Sequence, residues 1–523
     1  VSIKTESANP GLPPTPPGND KLDKSVLLVA GVVVLGAIMS ILDITVVSVA
    51  LETFQNEFEA TSAEVAWTMT GYTLALASVI PLTGWAADRF GTKRLYLLAV
   101  GLFTLGSVLC ALADSLQTLV IFRVLQGLGG GMLMPLGMTI LTRAAGPHRI
   151  GRVMAVLGIP MLLGPIFGPI VGGYLIEAAS WHWIFLINLP IGAIAFIYAI
   201  VVLPKDNVEP SETFDWLGML LLSPGLAAFL YGVSSIPEHG TFFAGEVAIP
   251  TIVGILLVAA FVPWALNRRN AHPLVELRLF ANRKMTVAVI AMALFAMAFF
   301  GASLLFPLYF QQVRGEDALH AGLLLAPQGI GAMITMPIAG LMADKRGPGK
   351  IVMVGITLIT IGMAMFTQLE ADTSYALLLG SLFVMGLGMG ATMMPIMSSA
   401  LQTLSDHNIA RGSTLMNITQ QVAASMGTAL FSVVLTNQIK ASDSAGAYLG
   451  LKGMVSQASG DKAAELKAQL DAIAPVALPE LADSFATVFV VGTILVGCVL
   501  IPAFFLPRKP PEEPVDPTAM MGH

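Results

Sequence analysis

Charge is what this chain has least of. Lys, Arg, Asp and Glu make up 11% of its 523 residues, against 55% hydrophobic residues. A soluble globular protein carries about 25% charged residues. Here 27 basic and 33 acidic side chains are too few to wet the surface of a soluble protein of this size. The composition excludes a disordered chain, a coiled coil and an ordinary cytosolic enzyme. Cysteine is scarce too. Cys110 and Cys498 both fall in apolar stretches, which excludes a disulfide framework and a cysteine metal site. The histidines lie mostly in loops, so no metal is expected. There is no GxxxxGKS/T run to cradle ATP. No nucleophile–base set stands out, so no catalytic residue is assigned and an enzyme is not expected. A net charge of −6 without a large basic block gives no support to nucleic-acid binding.

What is there is long apolar runs. A helix needs about 20 apolar residues to cross the hydrocarbon core. Fourteen runs qualify: 27–51, 65–86, 95–113, 117–141, 153–176, 183–203, 217–235, 247–266, 286–312, 319–342, 351–369, 374–399, 413–436 and 484–506. The expected class is an all-α polytopic membrane protein. Residues 1–24 are polar and proline-rich and read as a disordered tail, and residues 507–523 are expected to be a cytoplasmic C-tail. The first run is too long for a signal peptide. Val1 would fit a bacterial gene with a non-standard start codon.

Lys and Arg set the orientation. With the N-terminus inside, 21 of the 27 basic residues fall in cytoplasmic tails and loops. The short outer loops hold only Arg314, and the long outer loop 437–483 holds Lys440, Lys452, Lys462 and Lys467. Both ends are therefore expected to be cytoplasmic. Within that outer loop, residues 461–470 read as a short amphipathic helix.

The chain repeats itself. GWAADRFGTKR at 84–94 matches GLMADKRGPGK at 340–350, pairing Gly84 with Gly340, Asp88 with Asp344 and Gly91 with Gly347. GLGGGMLMP at 127–135 matches GLGMGATMMP at 386–395, and HRIGR at 148–152 matches HNIAR at 407–411. Duplicated halves follow: a six-helix bundle over 25–203, a two-helix insert over 204–284 and a second six-helix bundle over 285–506. Repeated bundles that face each other suggest a transporter rocking about a central site.

These motifs carry a family resemblance. The run Gly84–Arg94 resembles the loop signature of the major facilitator superfamily. LDITVV at 42–47, RVLQGLGGG at 123–131, GIPMLLGPIFGPIVGG at 158–173 and WHWIFLINLPIG at 181–192 together are similar to the fourteen-span drug:proton antiporters of the EmrB/QacA type. The resemblance covers nearly the whole chain and implies the major facilitator fold, two six-helix bundles plus two extra central helices. Two departures stand out: Ser48 and Glu52 where that family has Asn and Pro, and NITQQ in span 13 where it often has a basic residue.

An ionisable group at bilayer depth is functional by default. Asp43 in span 1 and Arg123 in span 4 are the deeply placed charges. At the position matching Arg123, the second half has Leu382 or Phe383, so packing of the repeat does not demand the charge. Asp43 is read as the proton-coupling carboxylate. A cationic substrate favours its ionised form and a proton its neutral form, and that competition is the minimum requirement for antiport. Arg123 would engage the carboxylate in one conformation and release it in another. The resemblance implies the same two roles. A structural ion pair between spans 1 and 4 is the alternative.

Three further sets are expected. Gly84, Asp88, Arg89, Gly91, Arg94 and Asp344 form a conformational latch. Gly164, Gly168 and Gly172, four apart on one helix face, let another helix approach closely, and Pro165 and Pro169 bend the span; the resemblance implies an antiporter hinge there. Gln126, Phe306, Tyr309, Phe310, Gln312, Gln328, Met394, Asn417, Gln420 and Gln421 are candidate substrate-binding residues. The expected function is proton-coupled export of lipophilic or cationic compounds from the bacterial cytoplasm or inner leaflet. The driving force is the proton gradient, with no cofactor. Expected partners are lipophilic small molecules or lipids, protons, membrane lipid and a possible periplasmic adaptor, with the chain monomeric in the inner membrane. Export of a native lipid or hydrophobic metabolite, a non-transporting sensor or scaffold, and uptake symport are the alternatives.

Overall fold

The computed structural model describes residues 23–509 except 147–148, 207–212, 237–242, 268–269, 271 and 458–460. The two terminal tails expected from the sequence therefore lie almost wholly outside the described residues. So do His148 and the side chains of Pro165 and Pro169.

The described backbone is a series of helices. The spans are 1 (Lys24–Val49), 2 (Ser62–Phe90), 3 (Thr92–Ala111), 4 (Leu116–Ala145), 5 (Ile150–Ala178) and 6 (Asn188–Val202). The insert holds spans 7 (Trp216–Ser234) and 8 (Gly245–Leu266). Then come spans 9 (Arg283–Gln312), 10 (Ala326–Arg346), 11 (Pro348–Met365), 12 (Tyr375–Gly390 and Met393–Leu401), 13 (Asp406–Ala441) and 14 (Asp461–Phe504). Thirteen of these elements are long and apolar enough to cross a membrane among the described residues. Span 5 is a continuous 29-residue helix, part of whose side chains lie outside the description.

Local chemistry sets several ends. Thr61 and Glu64 form a capping box at the start of span 2, and Ser115 with Thr118 does the same for span 4. Gly91 ends span 2 at φ +94° and Gly347 ends span 10 at φ +81°, a backbone that a side chain resists. Span 12 breaks at Ala391–Thr392, where the second copy of the glycine run carries one residue more than the first. Residues 437–483, expected as an outer loop, are helical over most of their described length. The predicted short helix 461–470 is the start of a single 44-residue helix that becomes span 14.

In the first half, span 1 packs along span 5, and span 4 lies between spans 2 and 3. In the second half, span 9 packs along span 13 and span 10 along span 12. The halves meet where span 5 crosses span 10 and where span 2 crosses span 13. Span 7 pairs with span 8 and leans on both span 2 and span 13, so the insert covers one of those two seams.

Candidate functional site

Asp43 is the centre of a buried polar network. It is 1% exposed, and Arg123 is fully buried. Arg123 Nη1 donates to Asp43 Oδ2 at 2.5 Å and to Gln126 Oε1 at 2.7 Å, while its Nε donates to the Thr68 carbonyl at 3.1 Å. Gln126 Nε2 donates to Asp43 Oδ1 at 2.7 Å. Asn188 Nδ2 donates to the same oxygen at 3.3 Å and to Ser107 Oγ at 3.0 Å. The guanidinium lies over the Tyr72 ring, 4.2 Å from its centroid. This face-on contact is favourable in a dry site. Arg123 Nη2 is buried without a hydrogen-bond partner.

Helix periodicity explains part of this cluster. Arg123 and Gln126 are three residues apart on span 4, so one face presents both to span 1. Asn188 arrives from the start of span 6. Sequence reading missed it, although it sits in the quoted run WHWIFLINLPIG. A polar side chain inside that apolar run was the available signal. Each of these contacts donates to Asp43, which suits a carboxylate that carries no proton.

The glycine run of span 5 touches the helix that bears Asp43. A Cβ on Gly164 would lie 2.1 Å from Ile41 Cγ2, and one on Gly168 2.0 Å from Thr45 Oγ1. Thr45 Oγ1 donates to the Gly164 carbonyl at 3.2 Å. Gly172 faces Val46. The stripe therefore sets how close span 5 comes to the residues on either side of Asp43.

The two repeated aspartates face opposite halves. Asp344 Oδ1 accepts from the Gly151 N–H at 2.8 Å, and Asp344 Oδ2 accepts from Arg152 Nε at 3.1 Å. Asp88 Oδ2 lies 3.6 Å from Arg411 Nε and its Oδ1 lies 3.5 Å from Arg143 Nη2. Arg411 also meets Glu276, from the insert's segment after span 8, at 3.4 Å. Gly84 lets span 2 approach Thr414 and Ala410, and Gly340 lets span 10 approach the Gly151 carbonyl. Arg89 is half-buried and Arg94 exposed, and neither takes part in these pairs. Gly91 instead abuts Asp206, whose carboxylate accepts from the Lys93 and Arg94 N–H groups at 2.7 and 3.1 Å.

The expected substrate residues do not form one group. Gln126 belongs to the Asp43 network. Phe306, Tyr309 and Phe310 are buried in the second bundle, where Phe306 packs on Phe366 and Phe489 and Tyr309 donates to the Glu370 carbonyl. Gln312 is half-buried, with Oε1 lacking a partner. The Gln328 backbone packs on Gly386 of span 12. Met394 and Met336 close on Gly158 between the halves. Asn417 Nδ2 donates to the Ser413 carbonyl and faces Met138 Sδ at 3.0 Å, also between the halves. Gln420 is half-buried, and Gln421 lines a small apolar void with Ala77 and Leu226. Among the described residues, no three His, Cys, Asp or Glu side chains cluster as metal ligands.

Comparison with known proteins agrees with this architecture. The family model for the Major Facilitator Superfamily matches residues 33–428. A multidrug resistance protein B homolog from Mycobacterium tuberculosis (strain ATCC 25618 / H37Rv) is 50% identical over 497 residues, covering 94% of this chain and 92% of that protein. The multidrug export protein EmrB of Escherichia coli (strain K12) is 31% identical over 411 residues, covering 77% and 79%. The human organic anion transporter MFSD10 has the same fold at 13% identity, with TM-score 0.60 over 91% of this chain and 100% of that one.

Proposed function

The chain belongs to the Major Facilitator Superfamily, and we propose that it is a proton-coupled multidrug efflux antiporter. It exports lipophilic or cationic compounds from the bacterial cytoplasm or the inner leaflet of the inner membrane. Both ends are cytoplasmic, the working unit is a monomer, and no catalytic chemistry is involved. The relatives named for multidrug resistance and multidrug export support the cargo class.

The observation that carries the reading is the Asp43–Arg123 contact. A proton that settles on Asp43 removes the charge and turns one of its acceptor sites into a donor. The contacts from Arg123, Gln126 and Asn188 lose their charge assistance and weaken, that of Arg123 most. That loosens span 1 from spans 4 and 6. A cationic substrate favours the ionised carboxylate instead, so proton and cargo compete. Spans 5 and 10 and spans 2 and 13 must part at their cytoplasmic ends when the halves rock. The Asp344–Arg152 and Asp88–Arg411 pairs hold those ends together.

The test is transport in proteoliposomes. A proton gradient is imposed and a lipophilic dye cation is followed. Gradient-driven movement in wild type and its loss in Asp43→Asn are expected. A folded Asp43→Asn protein with undiminished proton-driven transport would remove Asp43 from the coupling step.

A further inference from the structure

Arg411 stands between two carboxylates that come from different places in the chain. Its Nε lies 3.6 Å from Asp88 Oδ2 of span 2, and its Nη1 lies 3.4 Å from Glu276 Oε2. All three side chains are buried, none more than 10% exposed. The insert holds Glu276 in place. Asp215 caps the start of span 7 through the Gly218 N–H at 2.8 Å. The same carboxylate accepts from Trp264 Nε1, near the end of span 8, at 2.8 Å and from the Leu274 N–H at 3.1 Å. Leu274 and Val275 are buried, which fixes the chain just before Glu276. The turn Leu277–Ala281 that follows packs on span 9, and span 9 packs along span 13, the helix of Arg411. Glu276 therefore sits with Arg411 in the second half, whereas Asp88 belongs to the first.

Rocking of the halves acts on these contacts unequally. Asp88 parts from Arg411 but keeps Arg143, at the end of span 4 in its own half, at 3.5 Å. Arg411 keeps Glu276. A buried charge left without a counter-charge is costly, and this arrangement leaves neither Asp88 nor Arg411 in that state. A group shifts an equilibrium only by the difference between what it does in the two states. The attraction between Glu276 and Arg411 is present in both. The repulsion between Glu276 and Asp88, on either side of one guanidinium, is present only while the halves are together. Glu276 therefore favours separation, opposite in sign to Asp88.

We infer that Glu276 is the release partner of the Asp88–Arg411 pair. The insert supplies the carboxylate that keeps Arg411 paired while Asp88 leaves, and so sets how readily the halves separate at this seam. At the other seam, the contact to Asp344 from its own half comes from neutral Gln402, at 3.3 Å. The inference rests on the transport reading, in which the facing ends of spans 2 and 13 part.

The test is the spin-label distance between Arg94→Cys and Lys350→Cys, both exposed positions, in the full chain in lipid nanodiscs carrying Asp344→Asn. That substitution weakens the other pair and should lengthen the distance, so a shift in either direction is visible. Adding Glu276→Gln should shorten the distance again. Glu276→Ala removes the same charge and should act alike, whether or not Glu276→Gln folds. With Asp88→Asn in place of Asp344→Asn, the distance should be long with or without the Glu276 substitution, because the repulsion has already lost one of its members. A distance that stays long or lengthens when Glu276 is replaced beside Asp344→Asn would overturn the proposal and leave the latch standing. So would an equal shortening beside Asp88→Asn. No lengthening by Asp344→Asn or Asp88→Asn would remove the latch itself, and this proposal with it.

Discussion

Asp88 and Asp344 occupy matching places in the two repeats, yet each carboxylate reaches into the other half. Asp344 binds the start of span 5 through Gly151 and Arg152, and Asp88 faces Arg411 at the start of span 13. Arg152 and Arg411 are themselves matching residues of the repeat. One half's aspartate is thus paired with the other half's arginine, twice. A rotation that opens one pair must act on both.

Asp344→Asn should therefore shift the protein toward a cytoplasm-open state. The buried carboxylate keeps its shape but loses the charge that holds Arg152. Truncating one member of a buried pair costs about 3 kcal/mol. Spin labels on Arg94→Cys and Lys350→Cys, both exposed beside the repeated loops, should report a longer distance in the variant. Asp88→Asn should cut transport with little loss of substrate binding.

Arg123→Ala should destabilise the fold by about 3–5 kcal/mol, because Asp43 is left as an unpaired buried charge. Arg123→Lys keeps the charge but cannot serve Asp43, Gln126 and the Thr68 carbonyl from one planar group. It should fold and transport poorly. Thermal unfolding in detergent, run beside dye transport, separates the two outcomes.

Gly168→Ala places a methyl group on Thr45 Oγ1, and Gly164→Ala places one on Ile41. Overpacking of this kind costs about 1–3 kcal/mol. Each should lower thermal stability and slow transport, with Gly172→Ala milder because its nearest contacts are at 3.2 Å. Equal effects for all three would mean that the stripe does not set the spacing to span 1.

Lys452, on the helix Asp443–Gln457, donates to the Gln311 carbonyl. Burial holds its ammonium below the ordinary lysine range. The unfolded chain then binds more protons than the folded one, so this group favours the fold more as pH rises toward the lysine range. Lys452→Met should flatten that part of the stability–pH curve, read by unfolding at a series of alkaline pH values.

Much of the architecture was legible in the sequence. Crossing hydrocarbon requires long apolar helices, and that demand is a local sum over neighbouring residues. The runs therefore give the spans, and the matched pairs 84–94 and 340–350 give the halves. Asp43 and Arg123 were legible for the same reason, since a charge at that depth stands out against its neighbours.

The partners of those residues were not legible. That Asp88 turns to Arg411, that Asn188 joins Asp43, and that the stripe from Gly164 lies on Ile41 and Thr45 are facts about how helices rotate and cross. Phe306 and Phe310 look from sequence like pocket residues. Tertiary packing places them in the second bundle, against Phe366, Phe489 and Tyr309. The sequence alone determined which segments enter the membrane and which charges go with them, because transfer free energy belongs to each segment separately. Only the tertiary structure decided which side chains meet, because a contact between distant segments depends on the relative position of whole helices.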